Sequence, residues 1–117
     1  MGTNYYAVRN RPSIEDPIHI GKSSAGWMFL FQSQNEKYHD PPIVWNSFKQ
    51  LCEWLQDQVI DKSNYVILDE YDQEISKNDF IKMVIDKQND PFCRDNPENF
   101  SHARNVDGYR FTDEYFS

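Results

Sequence analysis

His19-Ile20-Gly21-Lys22-Ser23-Ser24-Ala25-Gly26-Trp27, running on into Met28-Phe29-Leu30-Phe31-Gln32, decides how the chain folds. Ile18-His19-Ile20 alternates, which puts the two isoleucines on one face of an extended segment and His19 on the other. Trp27 to Gln32 is a nearly continuous apolar run of strand length, the pattern of a buried strand. Gly21 and Gly26 frame a tight connection between the two, with glycine supplying positive φ where a turn needs it. Upstream, Thr3 to Arg9 is rich in β-branched and aromatic residues and breaks at Asn10-Arg11-Pro12-Ser13. Three such pieces predict an antiparallel meander.

Working outward, a polar loop is expected from Ser33 to Pro42. Asn46 or Ser47 then caps a helix whose Phe48, Leu51, Cys52, Leu55 and Val59 recur on one face. Tyr65-Val66-Ile67-Leu68 reads as a strand, Asp69 to Asp72 as a turn, and Gln73-Glu74-Ile75 as a short extended return. Ser76 with Asp79 approximates a capping box and opens a second helix with Phe80, Ile81, Val84 and Ile85 on its apolar side. Asn89 to Asn105 reads as an irregular loop, and Tyr109-Arg110-Phe111 as a last strand closed by Tyr115 and Phe116. The order βββ-α-ββ-α-β predicts one α+β domain over residues 1–117, a mostly antiparallel sheet with two helices packed on one face.

Composition narrows the function. The chain has 117 residues, enough for one core, and 18 of them are aromatic (8 Phe, 7 Tyr, 3 Trp), so rings must supply much of that core. The net charge is −7, and it is uneven: residues 1–50 carry five basic and four acidic groups, residues 51–100 five and twelve. Direct nucleic-acid binding is not expected of such a chain, because phosphate contacts need Lys and Arg. The longest apolar run, Trp27 to Phe31, is far short of the roughly 20 residues of a membrane span. Met1 to Tyr6 lacks the basic and apolar regions of a secretory signal, and Tyr6 stands where a myristoylation motif has Ser or Thr. Two cysteines, Cys52 and Cys93, make no disulfide framework, so a reducing cytoplasmic location is expected and the Asn99-Phe100-Ser101 sequon carries no glycan.

Three stretches hold groups capable of chemistry. In the glycine-framed segment, His19, Lys22, Ser23, Ser24 and Trp27 are the candidate ligand-binding residues: accessible N–H groups, a cation and two hydroxyls suit an anion, and the indole suits a base. The segment is not a P-loop, since the first glycine is missing and a strand follows. A strand–turn–strand with Trp27 in the core is the simpler reading. His19, His39, His102, Cys52 and Cys93 show no metal-binding spacing, and Asp69 to Glu74 lacks the glycine of a calcium loop, so no metal and no cofactor are expected. A Cys93–His102 pair has nothing local to activate the thiol. The acidic second half could form a negative face that steers the chain to a basic partner. Within it Asp69, Glu70, Tyr71, Asp72 and Glu74 are the candidate partner-binding residues.

Met1 to Tyr6, His19 to Trp27, Leu68-Asp69-Glu70-Tyr71 with Glu74-Ile75-Ser76, and Asp107 to Phe111 up to Phe116-Ser117 resemble, together and in this order, a family of small bacteriophage- and prophage-encoded proteins. The resemblance implies an accessory protein acting in the host bacterial cytoplasm and carries over no activity. Relatives place a C-x-x-C pair before the His-Ile-Gly-Lys-Ser segment, whereas Arg9 to Asp16 has no cysteine, so a family zinc site is not expected here. The leading expectation is therefore a non-enzymatic phage protein that binds and inhibits a host protein of a nucleic-acid-processing or antiviral defence system. The alternatives are a nucleotide-binding protein using Lys22, Ser23, Ser24 and Trp27, and a small hydrolase using His19 or His102.

Overall fold

A computed structural model describes residues 2–10, 17–24, 26–39, 41–90 and 104–113. Strands β1 (Gly2–Arg9), β2 (Ile18–Ser24) and β3 (Leu30–Gln32) form the expected antiparallel meander. Two short strands follow, β4 (Gln34–Glu36) and β5 (Ile43–Trp45), then helix α1 (Phe48–Leu55), which runs on as a wider π-helical turn over Gln56–Asp61. Strands β6 (Tyr65–Asp69) and β7 (Glu74–Ile75), helix α2 (Lys77–Asn89), and strands β8 (Arg104–Val106) and β9 (Tyr109–Thr112) complete the order. The main sheet runs β7-β6-β1-β2-β3-β9-β8. Among the described residues its neighbours are antiparallel except β3 and β9, where Leu30, Phe31 and Gln32 lie parallel to Arg110, Phe111 and Thr112. The architecture is α+β, as the order of sequence elements predicts.

Both helices start where the sequence places their caps. Ser47 Oγ accepts from Gln50 N at 3.2 Å, and Ser76 Oγ accepts from Asp79 N at 3.1 Å, each satisfying a donor that the first helical turn leaves unpaired. The core between helices and sheet is aromatic. Phe31 stacks on Phe111 at 4.7 Å, Phe48 of α1 stacks on Tyr109 at 4.2 Å, and Phe80 of α2 meets Phe29 and Tyr5 edge-on, each at 5.5 Å. Phe31, Phe80 and Phe111 are fully buried. Each fully buried side chain of this size contributes about 1.5–3 kcal/mol.

Four expectations need correction. The segment 33–42 is not all loop: β4 and β5 pair as a hairpin, Gln34 opposite Trp45 and Glu36 opposite Ile43. Trp45 anchors it, wholly buried, donating from Nε1 to Gln32 O at 2.8 Å and packed 5.0 Å from Trp54. Gly21 does not sit at a turn but inside β2, and of the two framing glycines Gly26 alone has a positive φ, +80°. A Cβ at Gly21 would lie 2.3 Å from both Leu30 O and Phe29 Cε1, so the position is glycine for lack of space. Ile85 is 39% exposed, leaving Phe80 and Val84 as the buried residues of α2. Within the expected loop 89–105, α2 extends to Asn89 and Arg104 to Val106 forms β8; residues 91–103, Tyr115 and Phe116 lie outside the described residues.

Candidate functional site

The glycine-framed segment is mostly strand. Lys22, Ser23 and Ser24 continue β2 opposite Asn4, Thr3 and Gly2, so Lys22 and Ser24 share one face and Ser23 takes the other. The connection is short. Trp27 N donates back to Ser24 O at 3.1 Å, and Trp27 is half-buried. Lys87 reaches over from α2 and places Nζ 2.7 Å from Ser24 O and 3.2 Å from Trp27 O. An anion cradle needs converging N–H donors. Here the converging groups are carbonyls, and their partner is an ammonium supplied by the chain itself.

His19 is positioned by an irregularity. Tyr5 pairs with Gly21 and Tyr6 with His19, so Ile20 is an extra residue in β2, a bulge that brings His19 onto the same face as Lys22. Both Ile20 and His19 are buried, which plain alternation did not predict. The His19 ring lies 5.3 Å from Tyr6, its Nε2 faces Asn4 Oδ1 at 2.9 Å, and its carbonyl accepts from Gln34 Nε2 at 3.0 Å. Gln32 Nε2 donates to Thr112 O at 3.2 Å on the same side. Burial pushes the His19 pKa down; the Gln32 carboxamide and the Gly21 backbone act against it, and Lys22 reinforces it. The fold thus disfavours the charged form of the ring. Asn4, His19, Gln32, Gln34 and Thr112 form a buried polar row across the sheet, and its hydrogen bonds fix strand register at the bulge.

The acidic turn between β6 and β7 is built differently. Asp69 Oδ1 accepts from Tyr71 N at 2.8 Å and from Gln73 N at 3.0 Å, while Asp69 O accepts from Asp72 N at 3.1 Å. Asp72 takes the left-handed conformation, φ +62°, which Asp tolerates better than most residues. Glu70 Oε1 accepts from Asn4 N at 2.7 Å. Asp69 and Glu70 therefore hold the turn. Tyr71, 68% exposed, and the exposed Asp72 and Glu74 face outward. Elsewhere in the acidic half, Asp57 pairs with Lys62 and Asp86 with Lys82, exposed pairs that contribute little.

Cys52, on the inner side of α1, is half-buried; burial pushes its thiol pKa up, Lys77 opposes this and Glu53 adds to it, so the thiolate is disfavoured. Cys93 and His102 lie outside the described residues. Among the described residues no three His, Cys, Asp or Glu side chains converge as metal ligands, and no helix is long and apolar enough to cross a membrane. Comparison with protein-family models, curated proteins and solved structures finds no match to the chain.

Proposed function

We propose that the chain is a non-enzymatic binding module, a phage-encoded accessory protein that docks on a basic host protein through the β6–β7 turn and inhibits it. The construction of that turn supports the reading. Asp69 holds the turn backbone and Glu70 ties the turn to β1, so Tyr71, Asp72 and Glu74 are presented from a braced turn. A preorganised loop loses little freedom on docking, and tyrosine is enriched among the residues that dominate interfaces. Carboxylates on either side favour a partner lined with Lys and Arg, such as the cleft of a nucleic-acid-processing or defence protein, and an inhibitor seated there would exclude its substrate.

The test is affinity capture from a bacterial lysate with the wild-type chain, Tyr71→Ala, and a double Asp72→Asn/Glu74→Gln variant. Asp86→Asn on α2 serves as an acidic control. A specific protein recovered by the wild type and the control, weakened by salt, and lost with Tyr71→Ala supports the reading. Recovery of no specific protein at low or moderate salt, or equal recovery by Tyr71→Ala, overturns it.

A further inference from the structure

The β8–β9 hairpin turns on two residues, Asp107 and Gly108, between the paired Val106 and Tyr109. Both have positive φ, +53° and +88°, as a type I′ turn requires at its two central positions, and that requirement selects Asp-Gly or Asn-Gly. The conformation therefore calls for a pair that is chemically labile. Glycine has no side chain to shield its nitrogen, so that nitrogen can attack the carboxyl of the residue before it. Asp107–Gly108 is the one Asp-Gly in the chain, and Asn-Gly does not occur. Asp107 is exposed, so water has access to it. Both polar backbone groups of Gly108 are engaged. Gly108 N donates to Asn105 Oδ1 at 2.8 Å, and Gly108 O accepts from Gln88 Nε2 of α2.

We propose that Asp107–Gly108 is a site of spontaneous aspartyl isomerisation, held in check by the bond from Gly108 N to Asn105. In the first step Gly108 N bonds to Asp107 Cγ, and the N–H proton leaves with the hydroxyl of the protonated carboxyl as water, closing a succinimide ring. In the second, one water opens the ring at the main-chain carbonyl carbon of Asp107. That carbon becomes a free carboxyl while Gly108 N stays bonded to Cγ. One water is lost and one gained, with no oxidation. The ring nitrogen carries no proton, so the bond to Asn105 cannot survive ring closure, and breaking it is part of the barrier. In the product Cβ of Asp107 has entered the main chain, one atom too many for a two-residue turn. The pairing of Val106 with Tyr109, and the stacking of Tyr109 on Phe48 that follows from it, are then out of register. The site is independent of the docking turn proposed above.

The experiment incubates the full chain at 37 °C and pH 6 in H₂¹⁸O, once folded and once unfolded in guanidinium chloride. After return to ordinary water and digestion with trypsin, the peptide 105–110 is read by mass spectrometry with electron-transfer fragmentation. Ring opening leaves one ¹⁸O at position 107, and the β-linked product gives its own fragments there. The unfolded chain should isomerise at Asp107, and the folded chain at least about tenfold more slowly, since the turn must open first. Asn105→Ala, exposed in β8 and checked for folding by circular dichroism, should raise the folded rate roughly fivefold, the factor of one lost hydrogen bond. Asn105→Asp keeps an acceptor and should stay near the wild-type rate. No ¹⁸O at position 107 in the unfolded chain overturns the site, and equal rates folded and unfolded overturn its control by the fold. A folded Asn105→Ala variant that isomerises no faster than wild type overturns the role of Asn105. The folded-against-unfolded comparison uses the unaltered chain and stands whatever the stability of the variants.

Discussion

Replacing Gly21 with alanine should be among the most damaging single-atom changes available in the chain. The added Cβ meets Leu30 O and Phe29 Cε1 at 2.3 Å, more than 1 Å inside ordinary van der Waals contact. Neither neighbour can move away cheaply. Leu30 O belongs to the backbone of the paired strand, and the Phe29 ring is hemmed by Phe31 at 4.6 Å, Phe80 at 5.5 Å and Tyr5 at 6.0 Å. Overpacking of this kind costs about 1–3 kcal/mol, and with backbone as one of the two obstacles the upper end applies. Unfolding entropy of about 2.1 cal/mol/K per residue makes 1 kcal/mol worth about 4 °C at this length, so Gly21→Ala should lower Tm by about 12 °C. Gly26→Ala is the control. Its φ is +80° with nothing within 4 Å, so the cost is conformational only, about 1 kcal/mol or 4 °C. Alanine restricts the unfolded chain equally in both variants, and that contribution cancels in the comparison. Thermal melts followed by far-UV circular dichroism, with urea titrations alongside, measure both. If Gly21→Ala melts no lower than Gly26→Ala, the steric account of β2 is wrong.

Further expectations concern buried or tethering groups. Because the fold lowers the His19 pKa below its usual 6.5, the stability it contributes is complete above pH 6.5 and is lost as pH falls below it. Between pH 7.5 and 5.0 the Tm of His19→Gln should therefore fall less than that of the wild type, and parallel curves would show that the ring does not titrate in this way. Lys87→Met removes the two bonds to Ser24 O and Trp27 O; at a half-buried site this should cost about 1–2 kcal/mol, a fall of roughly 4–8 °C. Native Cys52, in a Cys93→Ser background, should react with a thiol reagent at pH 8 several-fold more slowly than the urea-unfolded chain; equal rates would contradict its raised pKa and partial burial.

The parts of the fold legible in sequence are those fixed locally. Alternation and aromatic content mark β1 and β6, and the hydroxyls of Ser47 and Ser76 mark helix starts that the hydrogen bonds bear out. The β4–β5 hairpin was not legible, because Gln34-Asn35-Glu36 has no strand propensity of its own and is held by the distant anchoring of Trp45. The bulge at Ile20 likewise has no signature in Ile18-His19-Ile20, yet it turns His19 inward and assembles a polar row from strands far apart in the chain. For the acidic turn the residue types were readable, but the division of labour was not. Which carboxylates brace and which project depends on Asp69 meeting backbone two and four residues on, and on Glu70 meeting Asn4.

The parallel pairing of β3 with β9 also governs how the molecule is made. Phe31 finds its stacking partner Phe111 eighty residues later, so loop closure on that scale must precede the reward of the contact. During synthesis the β1–β2–β3 meander is available early, but the Phe31 edge stays uncovered until residue 112 has emerged. An exposed strand edge carrying Leu30 and Phe31 is a template for pairing with other chains. The nascent protein should therefore be most prone to aggregation, or to capture by a chaperone, in the interval before its last described strand arrives.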